Sequence, residues 1–146
     1  MRSLQSDDQE VGVEFQLVKN EPKYYEFIRT LRNHDQVQVG FLEKVHITPE
    51  QQQRYMAQYA DHYYLALVDA QPAGYIGEID GDIRLATHPN FQRKGVAEFM
   101  LRQFLQLHPQ STARVKVDNP ASLALFRKLG FREAYITFYP PDPGPQ

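Results

Sequence analysis

LATHPNFQRKGVA, residues 85–97, joins an apolar extended run to the start of an amphipathic helix through a polar, basic turn. Val96, Met100, Phe104 and Leu107 recur at helical spacing, which predicts a helix from about Gly95 to Leu107 with one apolar face. The first amides of a helix lack intrahelical partners and carry partial positive charge, so an anion there is stabilised. Gly95 has no side chain to hold a phosphate off the backbone, and Ala97 keeps the next turn small. Arg93 and Lys94 add formal charge beside them. Taken alone, the stretch admits two interpretations. It is a phosphate cradle, or it is a solvated basic turn ahead of an ordinary helix. The chain carries neither GxxxxGK(S/T) nor GxGxxG, so a Walker loop and a dinucleotide fingerprint do not explain it.

Before this stretch, alternation marks 11–19 as a strand. Tyr24, Phe27, Ile28 and Leu31 then share one helical face over 22–33, with Pro22 suited to a helix start. Residues 37–47 are broken by Gly40 and read as loop with some helical or extended character. A capping box, Thr48 with Gln51, and Pro49 at the first helical position open a helix over 48–60. Residues 62–70 and 73–80 read as a hairpin turning at Gln71-Pro72, and Gly81 turns the chain again into 82–89. After the cradle helix, 113–119 alternates as a strand. Pro120 and Gly130 bracket a short helix, and 131–139 reads as a closing strand. The order βααβββαβαβ predicts a mixed α/β layer fold, with helices packed on one twisted sheet.

The length of 146 residues suits one domain, and 42% apolar residues suffice for a core. The domain is expected over 11–139, between loose tails at 1–10 and 140–146, the latter rich in proline. A net charge of −2 gives no basic excess of the kind that drives binding to nucleic acid or membrane surfaces. No apolar run reaches the roughly 18 residues of a spanning helix, and the polar first ten residues lack a signal-peptide core. A cytoplasmic location is expected. With no cysteine there is no disulfide or thiol nucleophile, and the five histidines show no ligand spacing, so no metal is expected.

A second segment, DNPASLALFRKLGF (118–131), places Asn119, Ser122, Phe126, Lys128 and Leu129-Gly130-Phe131 in a fixed order. Together with residues 85–97 it resembles the GNAT superfamily of acyl-CoA N-acyltransferases. That family's cofactor loop, Gln/Arg-x-x-Gly-x-Gly/Ala, is matched by Gln92, Gly95 and Ala97. Its later Asn-x-x-Ser/Ala, aromatic and Lys-Leu-Gly-Phe segment is matched by 119–131. The resemblance implies a sheet that opens like a V between the strands at 82–87 and 113–118. The pantetheine of acetyl-CoA would lie in that opening beside Leu85, Ala86 and Thr87. Amides from Arg93 through Lys94, Gly95 and Val96 to Ala97 would hold the diphosphate. Asn119 and Ser122 would touch the pantetheine arm or order the loop beside it, and Asn119 also suits a helix N-cap. Phe126 stands where many family members have a tyrosine acid, and it has no proton to give. The loss is tolerable, because a thiol with a pKa near 8.5 leaves well without full proton transfer.

The implied reaction is direct attack of a primary amine on the thioester. It needs a proton acceptor for the amine and donors for the developing oxyanion. Glu78, Asp80 and Asp82 lie where the family places carboxylates, and paired acids raise one another's pKa toward neutrality. They also suit a polar hairpin tip, since Asp80-Gly81 is a good turn dipeptide. Tyr75, Tyr135 and Tyr139 are further proton donors that no spacing singles out. Arg32 and Asn33 would border the acceptor, or cap their helix. Arg84 would pair with an acid or an acceptor phosphate. The LRN helix end followed by ITPEQQQRYM resembles the aminosugar-nucleotide branch, whose acceptors feed surface-glycan synthesis. A protein or peptide amine, and a module that binds acyl-CoA without catalysis, are the alternatives. The expected partners are acetyl-CoA and a small amine, with a homodimer left open and neither nucleic acid nor membrane.

Overall fold

The computed structural model describes residues 13–142, so the expected tail at 1–10 and residues 143–146 of the one expected at 140–146 lie outside the described residues. Four antiparallel strands form one sheet in chain order: β1 (Phe15–Lys19), β2 (Tyr63–Val68), β3 (Gln71–Ile79) and β4 (Asp82–Thr87). Both hairpin turns place two residues in the left-handed region. These are Asp69 (φ 48°) with Ala70 (φ 69°), and Asp80 (φ 54°) with Gly81 (φ 80°). Paired positive φ values match the right-handed twist of the flanking strands. The first turn therefore falls at 69–70, ahead of the expected Gln71-Pro72. Pro72 lies within β3 opposite Leu67, beside a register shift between Ala66 and Leu67. A residue without an amide donor is accommodated at such an irregularity.

Helices cover both faces of the sheet. A 3-10 turn at Pro22–Tyr24 leads into α1 (Tyr25–Asn33). A single turn, α2 (Asp35–Gln38), follows, and then α3 (Pro49–Tyr59). The Thr48–Gln51 capping box forms as expected, with both reciprocal bonds present. On this face Ile28, Leu31, Met56, Leu65 and Tyr75 make one core. On the other face α4 (Val96–Leu107) packs Val96, Met100, Leu101 and Phe104 against Ala66, Val68 and Ile76. The last helix, α5 (Pro120–Lys128), contributes Leu125 and Phe126 to that second core. It ends in a Schellman motif: Phe131 N–H donates to Phe126 C=O at 3.0 Å and Gly130 N–H to Arg127 C=O at 3.0 Å. The mixed α/β class and the helix positions agree with the sequence pattern, apart from the extra turn of α2.

Two expected strands do not form. The chain meets β4 at one parallel rung, Thr112 beside Asp82, just ahead of 113–118, which makes no main-chain pairing with it. Residues 131–139 carry no strand pairing, and 132–140 are exposed. The opening expected between two strands is therefore bounded by one strand, β4, and by the unpaired segment 113–118. Strand propensity reflects a fit to a pleated, half-buried surface, and no described neighbour supplies that surface to 131–139.

Candidate active site

The open edge of β4 is the first element of the site. Ile83 N–H points away from β3 and donates to Thr112 C=O at 2.8 Å. His88 N–H points the other way, to Ala73 C=O at 2.7 Å. Main-chain groups alternate along a strand, so those of Leu85 and Thr87 face the opening while those of Ala86 face β3. Of the three residues expected beside pantetheine, two thus present their backbone to the gap. The Thr87 hydroxyl oxygen is also buried without a hydrogen-bond partner.

The loop that follows is held by local bonds. His88 Nδ1 accepts from Asn90 N–H at 3.0 Å, and Gln92 Nε2 donates to Thr87 C=O at 3.4 Å. Arg93 adopts φ 63°, and Gly95 at the helix N-cap adopts φ 86°, ψ 9°. A Cβ at Gly95 would meet only the Phe15 ring at 3.9 Å, so conformation rather than space demands glycine here. No side chain caps α4, and its first intrahelical bond runs from Phe99 N–H to Gly95 C=O. The amides of Val96, Ala97 and Glu98 are therefore left for another acceptor. Arg93 and Lys94 are exposed beside them. The Glu98 carboxylate, which would oppose an anion, is bound by Arg102 (2.9 Å) and Lys128 (2.8 Å). Those two cations hold its pKa below the usual carboxylate range.

Across the opening, Asn119 Oδ1 caps α5 by accepting from Ser122 N–H at 3.2 Å. Lys116 Nζ donates to Val39 C=O at 3.2 Å and ties the second arm to the loop after α2. A hollow of about 330 Å³ lies between them, lined by Val39, Gly40, Asp118, Asn119, Pro120 and Ala121. The Phe126 ring stands edge-on to Phe131 with centroids 5.0 Å apart, so its place is in the α5 core.

Strand alternation divides the three candidate acids. Glu78 lies on the α4 face, where Ser111 Oγ donates to it and His108 Nδ1 stands 4.0 Å away. Asp80 occupies the hairpin tip. Asp82 shares the α1 face with Arg84, and its Oδ2 lies 3.4 Å from Arg84 Nε and 3.2 Å from an Arg114 amino group. Next to Arg84, Tyr63 leans across Gly77. A Cβ at Gly77 would sit 2.7 Å from the Tyr63 ring and 2.4 Å from His62 C=O. Tyr63 and Tyr55 share a hydroxyl contact of 2.6 Å, Tyr63 packs edge-on to Tyr75 at 5.7 Å, and Arg32 lies 4.9 Å over the Tyr55 ring. Burial pushes the phenols of Tyr63 and Tyr75 well up, against a smaller opposing pull from Arg32, so both stay protonated.

Asn33 acts on the loop. Its amide exchanges two bonds with Ile47, donating to C=O at 2.9 Å and accepting from N–H at 2.8 Å. Tyr55, Tyr63, Ser111 and Arg114 were not singled out by sequence. For the tyrosines a signal existed, since 55 and 59 are one helical turn apart and 63 begins the next strand.

The solved structures similar to this one share its fold. A spermidine N-acetyltransferase from Vibrio cholerae, in complex with CoA and spermine, superposes with a TM-score of 0.71 at 17% identity, over 83% of this chain and 82% of that one. An aminoglycoside N-acetyltransferase in complex with CoA gives 0.67 at 15%, over 91% and 97%. A ribosomal-protein-alanine N-acetyltransferase from Brucella melitensis gives 0.67 at 16%, over 82% and 86%. Curated proteins gave no sequence match. The model of the acetyltransferase (GNAT) family matches residues 15–131, which include β4, the uncapped start of α4 and the Asn119 cap, and the chain belongs to that family.

Proposed function

We propose that the chain transfers an acetyl group from acetyl-CoA to the primary amine of an amino-deoxysugar nucleotide. The observation that carries the donor half is the uncapped start of α4, with Arg93 and Gly95 both left-handed, at the end of a strand whose outer edge is unpaired beyond one rung among the described residues. Free amides of Val96, Ala97 and Glu98 suit a diphosphate, and Leu85 and Thr87 suit the amide groups of a pantetheine chain. Acetyl-CoA supplies an activated thioester there. The chain's own residues hold it and position the amine.

The acceptor half rests on side chains. Arg32 and Arg84 approach the tyrosine cluster from α1 and β4, and Asp82 is the only one of the three candidate acids on that face. Two guanidinium groups favour an acceptor that carries phosphate. Asp82 would take the amine's proton, directly or through one water, as the nitrogen attacks. Thiolate then leaves without a strong acid, consistent with Phe126 in the α5 core.

Thiol release from acetyl-CoA against a panel of amines tests this reading. The expected result is turnover with aminosugar nucleotides and little with spermidine or aminoglycosides. Labelling of peptides alone would replace the acceptor. Tight acetyl-CoA binding with no thiol release for any amine would make the protein a binding module and remove the catalytic assignment.

A further inference from the structure

Residues 39–47 run from α2 to α3 without regular structure, and their two ends are held in different ways. The far end is fixed to α1 and α2 by amide side chains. Asn33 exchanges its two bonds with Ile47. Gln38, buried, donates to the C=O groups of Arg32 and Val45 and accepts from Val45 N–H. Pulling 45–47 away would strand several buried polar groups at once, which is costly. The near end is held across the opening. Val39 is 66% exposed, yet its C=O accepts from Lys116 Nζ at 3.2 Å, 77 residues away along the chain. Beside it, the place a Cβ would take on Gly40 lies 2.9 Å from Asn119 Nδ2. A glycine lets the loop come this close to the amide that caps α5. Between the two ends, Leu42, Glu43 and Lys44 are exposed.

We propose that Lys116 is a positioning residue for the amine. Its bond to Val39 C=O, with the close approach at Gly40, latches loop 39–47 to the second arm and holds the loop as one wall of the acceptor entrance. This rests on the transferase reading and holds for whichever amine is taken. Lysine suits a latch, because its ammonium carries three donors on a long stem and meets a single carbonyl without a fixed fork geometry. The Asp118 carboxylate stands 4.0 Å from the same ammonium, so its charge is balanced within the second arm. The hollow of about 330 Å³ is lined by Val39 and Gly40 on one side and by Asp118 and Asn119 on the other, so its width follows from the latch. Gln38 carries the position of the loop to the main chain of Arg32, the α1 residue assigned to the acceptor. The amides of Val96, Ala97 and Glu98 share none of these bonds. Loss of the latch is therefore felt by the amine and not by the diphosphate.

Limited trypsin digestion of the full-length protein reads the latch with no substrate present, since Lys44 lies exposed in the middle of the loop. Cleavage there tracks the population of the open loop. Lys116→Met should speed cleavage after Lys44 about five-fold, as the loss of one hydrogen bond implies. Lys116→Arg, which keeps a donor, should restore the slow rate. Gly40→Ala, which leaves Lys116 in place and crowds Asn119, should also speed it. In thiol release with any amine that turns over, Lys116→Met should raise KM for the amine about five-fold and change KM for acetyl-CoA less than about two-fold. Melting of Lys116→Met should match that of the unmodified protein. Cleavage of Lys116→Met at the unmodified rate would overturn the proposal, and so would equal rises in both KM values. An arginine variant that behaves like the methionine one, or a lowered melting temperature in Lys116→Met, would also overturn it. If no amine releases thiol, the transferase reading falls by itself, and the cleavage rates still decide the latch.

Discussion

At the proposed donor end of the cleft, the groups open to a ligand are main-chain: Leu85 and Thr87 along β4, then Val96, Ala97 and Glu98 at the start of α4. At the proposed acceptor end they are side chains, Arg32 from α1, Tyr55 from α3, and Asp82 and Arg84 from β4, set over the buried Tyr63 of β2 and Tyr75 of β3. A main-chain site needs only the right backbone path, so it constrains few residue identities and those few lie close together. A side-chain site is assembled from five elements, and its members are scattered over more than fifty positions. The first kind resists most substitutions and fails at glycine. The second kind is adjustable residue by residue, which suits the half of the reaction where substrates differ.

The comparison breaks most readily at Gly95. Gly95→Glu imposes a left-handed φ on a residue with a Cβ and aims a carboxylate at the diphosphate. Acetyl-CoA affinity should fall by about 100-fold or more in a titration, a loss of about 2.7 kcal/mol. Unchanged affinity would show that the amides do not hold the donor. Arg93→Gln and Lys94→Gln should each weaken acetyl-CoA by only a few fold, since screened surface charge contributes little beside the backbone. If either matched the glycine variant, the donor end would be a side-chain site after all.

At the acceptor end, Arg84→Gln should raise the KM for a phosphate-bearing acceptor about 10-fold and leave the KM for acetyl-CoA alone, by steady-state kinetics. Asp82→Asn should lower kcat in a thiol-release assay, whereas Glu78→Gln, on the α4 face with Ser111, should leave kcat in place. Equal effects from both would mean that the face division does not govern proton transfer.

The smallest effect concerns Tyr63 and Tyr75. Burial raises both phenols, so above about pH 10, the ordinary tyrosine value, the folded chain holds protons that the unfolded chain releases. Their contribution to stability is complete below that pH and declines as pH rises through it. Thermal melts from pH 8 to 11 should show the decline, and Tyr63→Phe should reduce it.

Legibility in the sequence followed the same division. The start of α4 was readable because a glycine, two cations and a periodic apolar run are adjacent, and the family motif lies on those residues. The capping box at Thr48 was readable for the same reason, since its two bonds span three residues. The turn at Asp69–Ala70 was misplaced because Pro72 signals a turn strongly, while the extra residue that accommodates it, Ala73 of β3, is visible only once the strand is paired with β2. Glu78 and Asp82 look equivalent in GEIDGDIR, and only the register around the hairpin sends them to opposite faces. Strands at 113–119 and 131–139 were expected from pattern, yet a pattern names the face to be buried and not the neighbour that buries it.

Thr112 gives the cleft one property that neither wall has alone. It is the single rung between β4 and the second arm among the described residues, and Asn119 and α5 lie beyond it on the far side. A sheet fastened along its length takes its angle from main-chain bonds, but past this one rung the two arms are joined by side chains, Arg114 on Asp82 and Leu125 and Phe126 in the α4 core. The width of the mouth is therefore set by side-chain packing, and substitutions there would change it while leaving the β3–β4 ladder intact.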